Sequence, residues 1–201
     1  MSSSDEEEYW SSSDEEDLRD RPRRMSVGAA PRRAARAAAI KFIDRRVDFG
    51  VGSFRVSLVP GRGHPNARRL KPRNIPRLTP SEFKRRLASM LLANTEGYDV
   101  FCRPNDNTWV LVDDVDEESP CVQHGQISIE TSAGNYQVWC RVPACDTDDD
   151  YRAVSKHLQV MYDADPGAAR VGQVGRLPSS FIRNTADSAR LFIRWSLFDG
   201  G

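Results

Sequence analysis

Apolar and polar positions organise the chain most clearly from Thr79 onward. Thr79-Pro80-Ser81-Glu82 places a capping hydroxyl, a proline at the first helical position and an acid three residues on. Phe83, Leu87, Met90 and Leu91 then recur at helical spacing, and Gly97 supplies a stop. Short β-rich runs follow. Tyr98–Arg103 and Thr108–Asp113 are separated by the turn-forming Pro104-Asn105-Asp106-Asn107, while Gln126–Ser132 and Tyr136–Val142 flank Ala133-Gly134-Asn135, a hairpin signal. The acids from Asp146 to Asp150 open a second helix running to about Asp163, with Val154, Leu158 and Met161 on one face. Upstream, the alanines of Pro31–Arg46 favour helix, with Ile40 and Ile43 on one side; downstream, Leu191–Phe198 reads as a closing strand. Hairpin strands alternating with helices predict an α+β fold, an antiparallel sheet with helices packed on one face.

Charge divides the chain into zones. The 201 residues carry no formal net charge, yet residues 2–20 hold nine acids against Arg19. Residues 21–86 hold nineteen bases against three acids, and residues 87–201 hold nine bases against seventeen acids. SSSDEE at 2–7 recurs at 11–16. A stretch so polar cannot bury enough apolar surface to offset its ordering entropy, so residues 1–30 are expected to be a disordered acidic, serine-rich tail running into a basic stretch. Residues 31–78 are expected to form a basic helix or strand and an Arg/Pro/Gly-rich linker, and residues 79–201 the main domain. Arg32, Arg33, Arg36, Arg68, Arg69 and Arg73 are the candidates for holding nucleic-acid phosphates, because clustered guanidinium groups offer fixed charge and bidentate donors.

No run of eighteen apolar residues is present, and the N-terminus lacks a basic stretch followed by an apolar one. The expectation is therefore a protein without membrane contact, not secreted, in the cytoplasm or nucleus. Four cysteines are too few for a disulfide scaffold. Cys121, His124, Cys140 and Cys145 match zinc spacing only loosely, and a small buried thiol explains Cys140 beside Trp139 better.

The stretch Val110-Leu111-Val112-Asp113-Asp114-Val115-Asp116 carries the most chemistry. Adjacent carboxylates at the end of an apolar strand are costly unless a cation neutralises them, and carboxylate oxygens suit Mg²⁺ or Mn²⁺. A solvated acidic loop continuing into Glu117 and Glu118 is the plainer alternative. On an ideal strand Asp114 and Asp116 share one face and Asp113 the other; a bend at the strand end turns Asp113 and Asp114 together. Asp165 alone reads as a turn residue.

Taken in order, VFCRP, WVLVDDVD, ISIETSAGNYQVW, a helix, ADPGAA and RLPSSFIRN resemble the plasmid RepB-type DNA primases of the archaeo-eukaryotic primase superfamily, over roughly residues 98–184. The resemblance implies an RRM-like catalytic palm that joins nucleoside triphosphates on a single-stranded DNA template, with a helicase or replication initiator as a further partner. It implies two divalent ions, Mg²⁺ or Mn²⁺, on Asp113, Asp114 and Asp165, and nucleotide contacts from Ser132, Gln137, Arg176 and Asn184. Two departures stand out: Gln137 sits where many relatives have His, and Ser179-Ser180 replaces the glycine usual after Arg-Leu-Pro. The alternative is a catalytically inactive module of the same fold that binds nucleic acid through its Arg-rich N-terminal segment.

Overall fold

The structure, a computed structural model, describes residues 29–178 except 62, 63, 65 and 68. Residues 1–28 of the tail expected over 1–30, the closing strand at 191–198, Asn184 and Arg68 lie outside the described residues, while residues 29 and 30 open a helix. In chain order the elements are α1 (Ala29–Asp48), β1 (Phe54–Pro60), β2 (Arg73–Leu78), α2 (Pro80–Glu96), β3 (Tyr98–Pro104), β4 (Trp109–Asp116), α3 (Pro120–His124), β5 (Ile127–Ser132), β6 (Asn135–Arg141), α4 (Asp148–Met161) and β7 (Gly175–Arg176).

Local chemistry sets the helix ends. Thr79 accepts from the Glu82 N–H at 3.3 Å, and the Glu82 carboxylate accepts from the Thr79 N–H at 2.8 Å, so two orphan donors of α2 are satisfied reciprocally. Gly97 ends the helix at φ 112°, a conformation that a side chain disfavours. Thr147 and Asp150 form the same box at the start of α4.

The strands are antiparallel and divide between two sheets, ordered β2-β1-β3-β7 and β4-β6-β5. The successive strands β3 and β4 therefore do not pair with each other. Nor is the stretch before Thr79 an appendage: β1 pairs along its whole length with β3, and β2 flanks β1. The first sheet thus begins at Phe54, and the boundary expected at residue 79 falls inside it. Pro76 is compatible with β2 because that strand lies at an edge, where a missing N–H breaks no ladder.

One core joins Phe42 and Ile43 of α1, Phe83 and Leu87 of α2, Val56 of β1, Val100 of β3, and Trp109, Leu111, Ile127 and Trp139 of the second sheet. A smaller core lies on the other face of that sheet, where Val112, Val115, Tyr136 and Val138 meet Cys121 and Val122 of α3. Burial on both faces explains why β4 opens with an unbroken apolar run instead of an alternating one. Among the described residues, no helix is long and apolar enough to cross a membrane.

Arg46 belongs to the first core, not to a phosphate-facing surface. Its side chain is fully buried, with the guanidinium 4.2 Å from the ring centre of Trp109 and 4.3 Å from that of Trp139. None of its three nitrogens has a hydrogen-bond partner among the described residues. Burial pulls its pKa down to about 9, and the two indole faces supply the compensating attraction.

Candidate functional site

A single extra residue shapes the acidic end of β4. Register pairs Asp113 with Gln137 and Val115 with Tyr136, leaving Asp114 as the bulged residue at φ 64°. Without the insertion, Val115 would face the first core. With it, Val112 and Val115 both join the smaller core, opposite Val138 and Tyr136. Asp113 and Asp116 then share the inner face with their partners Gln137 and Asn135. This corrects the ideal-strand expectation, in which Asp116 goes with Asp114. Asp114 is drawn toward the same side by a hydrogen bond from the Asn135 amide.

The inner face of the second sheet consequently changes character along its length. Trp109, Leu111, Trp139, Ile127 and Ile129 form an apolar floor, and Asp113, Gln137, Asn135 and Ser132 form a polar rim. Gln137 is the hub of that rim. It is buried, its Oε1 accepts the Arg176 N–H at 2.8 Å, and its amide donates to the Asp113 carboxylate. A carboxamide meets both demands at once, one donor and one acceptor. Gln137 therefore ties the second sheet to β7 of the first. Gly175 makes room for this approach, since a Cβ there would lie 2.6 Å from the Trp139 ring.

Asp165 is brought in by the free edge of β4. Three alternate carbonyls on that edge find donors from one continuous stretch. Tyr151 Oη donates to Trp109 O at 2.9 Å, Gln159 Nε2 to Leu111 O at 2.8 Å, and the Asp165 N–H to Asp113 O at 3.0 Å. The Asp165 carboxylate accepts from the Gly167 N–H at 2.8 Å, capping a 3-10 turn at Pro166–Ala168. Asp114 and Asp165 thus both lie within electrostatic reach of Asp113. Burial, followed by the like charges of Asp114 and Asp165, pushes the Asp113 carboxyl above its ordinary range, against the pull of hydrogen bonds from Gln137 and the Asp114 N–H.

All three donors are carboxylates, and the charge crowded on Asp113 is what a hard cation relieves, so the chemistry fits Mg²⁺ or Mn²⁺. As they stand, however, the carboxylates are held by protein donors, and no three His, Cys, Asp or Glu side chains among the described residues form a ready metal cluster. The same holds for the cysteines. The Cys121 and Cys140 sulfurs lie 3.8 Å apart, and the neighbouring thiol together with burial pushes Cys121 upward, away from the thiolate that zinc requires.

Of the other expected residues, Ser132 pairs with Asn135 at the hairpin end of the rim. Arg176 reaches the rim through its backbone, while its side chain lies beside Asp99 (3.9 Å) and over Phe101. Arg32, Arg33 and Arg36 are exposed on α1, while Arg69 is exposed between β1 and β2 and Arg73 at the first position of β2, so these arginines form two groups in the chain. Asn135, Tyr151 and Gln159 were not singled out in the sequence. Asn135 belongs to the hairpin turn in sequence, and its bond to Asp114 becomes visible only once the bulge sets the register.

Residues 54–190 match the family described as the RepB DNA-primase N-terminal domain. Among solved structures, primase RepB' is similar at 24% identity and TM-score 0.66, over 79% of this chain and 56% of that one. The chain thus spans little more than half the length of that protein. The catalytic domain of primase RepB', in complex with initiator DNA, is similar at 23% identity and TM-score 0.65, over 79% of this chain and 85% of that one. The AEP domain of the cyanophage S-2L primase-polymerase shares the fold at 12% identity and TM-score 0.55, over 78% and 89% of the respective chains. No curated protein matches the chain.

Proposed function

Because this chain belongs to the RepB DNA-primase N-terminal domain family, we propose that it is a primase-type nucleotidyltransferase that joins nucleotides on a single-stranded DNA template. The observation that supports the reading is the bulge that sets Asp113 and Asp114 at the end of β4, together with the N–H bond to Asp113 O that ties Asp165 to the same strand edge.

Asp113, Asp114 and Asp165 would hold divalent ions, Mg²⁺ or Mn²⁺, whose charge offsets the charge spread over a transferring phosphoryl group. The remaining work falls to the protein's own groups. Gln137 fixes the rotamer of Asp113 while anchoring β7. Ser132 offers a hydroxyl on the open rim to triphosphate oxygens, and Arg176 offers fixed positive charge. The buried floor beneath excludes water from one side of the site, which strengthens every charge interaction above it. Arg69 and Arg73, both exposed, would take template phosphates.

A second reading, a nucleic-acid-binding module without catalysis, draws on the hydrogen bonds that already occupy the three carboxylates. One assay separates the two: incorporation of labelled dNTP or NTP on a single-stranded template with Mg²⁺ or Mn²⁺. We expect incorporation by the wild-type chain and a loss of about a hundredfold or more in Asp113→Ala and Asp114→Ala, the size associated with removing a charge-stabilising group. Activity that survives both substitutions, or a wild-type chain that binds DNA but incorporates nothing, overturns the enzymatic reading.

A further inference from the structure

Away from the carboxylates, α1 and α2 enclose a groove of about 290 Å³. Ala35, Ala88, Leu91 and Leu92 form an apolar lining, and Arg32 and Arg36 stand beside it on α1. Leu92 is 41% exposed, a large apolar side chain left open to solvent next to two exposed guanidinium groups. A surface of this kind fits a bulky apolar residue flanked by acids.

The chain carries such a segment a short tether away. Tyr9-Trp10 lies between Asp5-Glu6-Glu7-Glu8 and Asp14-Glu15-Glu16-Asp17, a pair of aromatic rings between two blocks of negative charge. Trp10 precedes Ala29, the first residue of α1, by nineteen positions. At about 3.3–3.6 Å per residue that tether reaches roughly 60 Å, more than the length of either helix. Tethering raises the local concentration of the segment at the groove to about the millimolar range. The charges are complementary as well, with net −8 over residues 2–20 against net +16 over residues 21–86.

We propose that the acidic N-terminal segment docks within its own chain in the α1–α2 groove, with Tyr9-Trp10 against Leu91 and Leu92 and the flanking acids on Arg32 and Arg36. The docked segment covers arginines that nucleic acid would otherwise reach, and so competes with phosphate backbone for α1. This holds whether or not the chain transfers nucleotides, because the contact is separate from the carboxylate site.

The direct test places a photo-crosslinking residue at Trp10 in the full chain and locates the products by mass spectrometry. Docking predicts links within one chain to residues 32–36 or 88–95. Their yield should fall about tenfold in Leu92→Asp and in the double variant Arg32→Glu/Arg36→Glu, as expected from losing apolar contact or two ion pairs. All three positions are exposed, so both variants should keep their melting transition; if the double variant unfolds, Leu92→Asp alone decides. A parallel measurement compares single-stranded DNA binding before and after deletion of residues 2–20. Docking predicts tighter binding on deletion in the wild-type background and a smaller gain in the double variant. Links to other surfaces, links only between chains, a yield indifferent to Leu92→Asp, or DNA protection of the groove without any link from position 10 would each overturn the proposal.

Discussion

The two ends of the inner face of the second sheet share strands and neighbours but follow opposite rules. At the floor, Trp109, Leu111 and Trp139 are almost wholly removed from water and are held by shape. At the rim, Asp113, Asn135 and Gln137 are held by directed hydrogen bonds, and Asp113 carries charge that the fold itself penalises. The transition falls between the Leu111–Trp139 and Asp113–Gln137 pairs, just ahead of the bulge. Apolar packing is thus concentrated at one end and charge at the other, and substitutions at the two ends should separate accordingly.

The largest expected effect on stability is at the floor. Trp139→Ala should cost about 3–5 kcal/mol in urea denaturation, since it opens a cavity and strips Arg46 of one aromatic face. A cost below ~1 kcal/mol would show the floor to be loosely packed. At the junction, Gln137→Leu should cost about 1–3 kcal/mol, because the Arg176 N–H loses its acceptor and Asp113 its donor in a buried setting. Asp114 tests the bulge through a pair of substitutions. Asp114→Gly should stay within about 1 kcal/mol of wild type, whereas the β-branched Asp114→Val should lose about 2 kcal/mol in the left-handed conformation. Equal stabilities for the two would argue against a bulge at that position.

At the rim the smallest effect should have the opposite sign. Since the folded carboxyl of Asp113 lies above its ordinary value, its ionised form opposes folding. The penalty is complete above the folded pKa and fades as pH falls back through it toward the ordinary value of about 3.9. Asp113→Asn should therefore melt slightly higher than wild type near neutral pH, with the gap closing in acid. Added Mg²⁺ should raise the wild-type melting temperature and leave Asp113→Asn nearly unchanged. A variant that melts lower at neutral pH, or responds equally to Mg²⁺, would contradict this account of Asp113.

Local signals explain which parts were legible in advance. The starts of α2 and α4 depend on residues three positions apart, and the β5–β6 hairpin depends on Gly134 at φ 74°, so a short window suffices for each. β2 escaped notice because it is an exposed edge strand containing Pro76 and lacking alternation. The pairing of Asp113 with Asp114 was anticipated as a bend, but its cause, an unmatched residue against β6, is a matter of register and therefore of tertiary structure. Asp165 shows the limit most plainly. Its side chain makes an ordinary turn, and only its backbone bond to β4 ties it to residues fifty positions earlier.

That backbone bond has another consequence. β4 is the outer strand of its sheet, and an uncovered outer strand invites pairing with strands from other molecules. The donors contributed by Tyr151, Gln159 and Asp165 block that edge, one carbonyl after another. The segment that delivers the third acid therefore also guards that edge against pairing with other molecules, and loosening α4 should make the protein prone to clump.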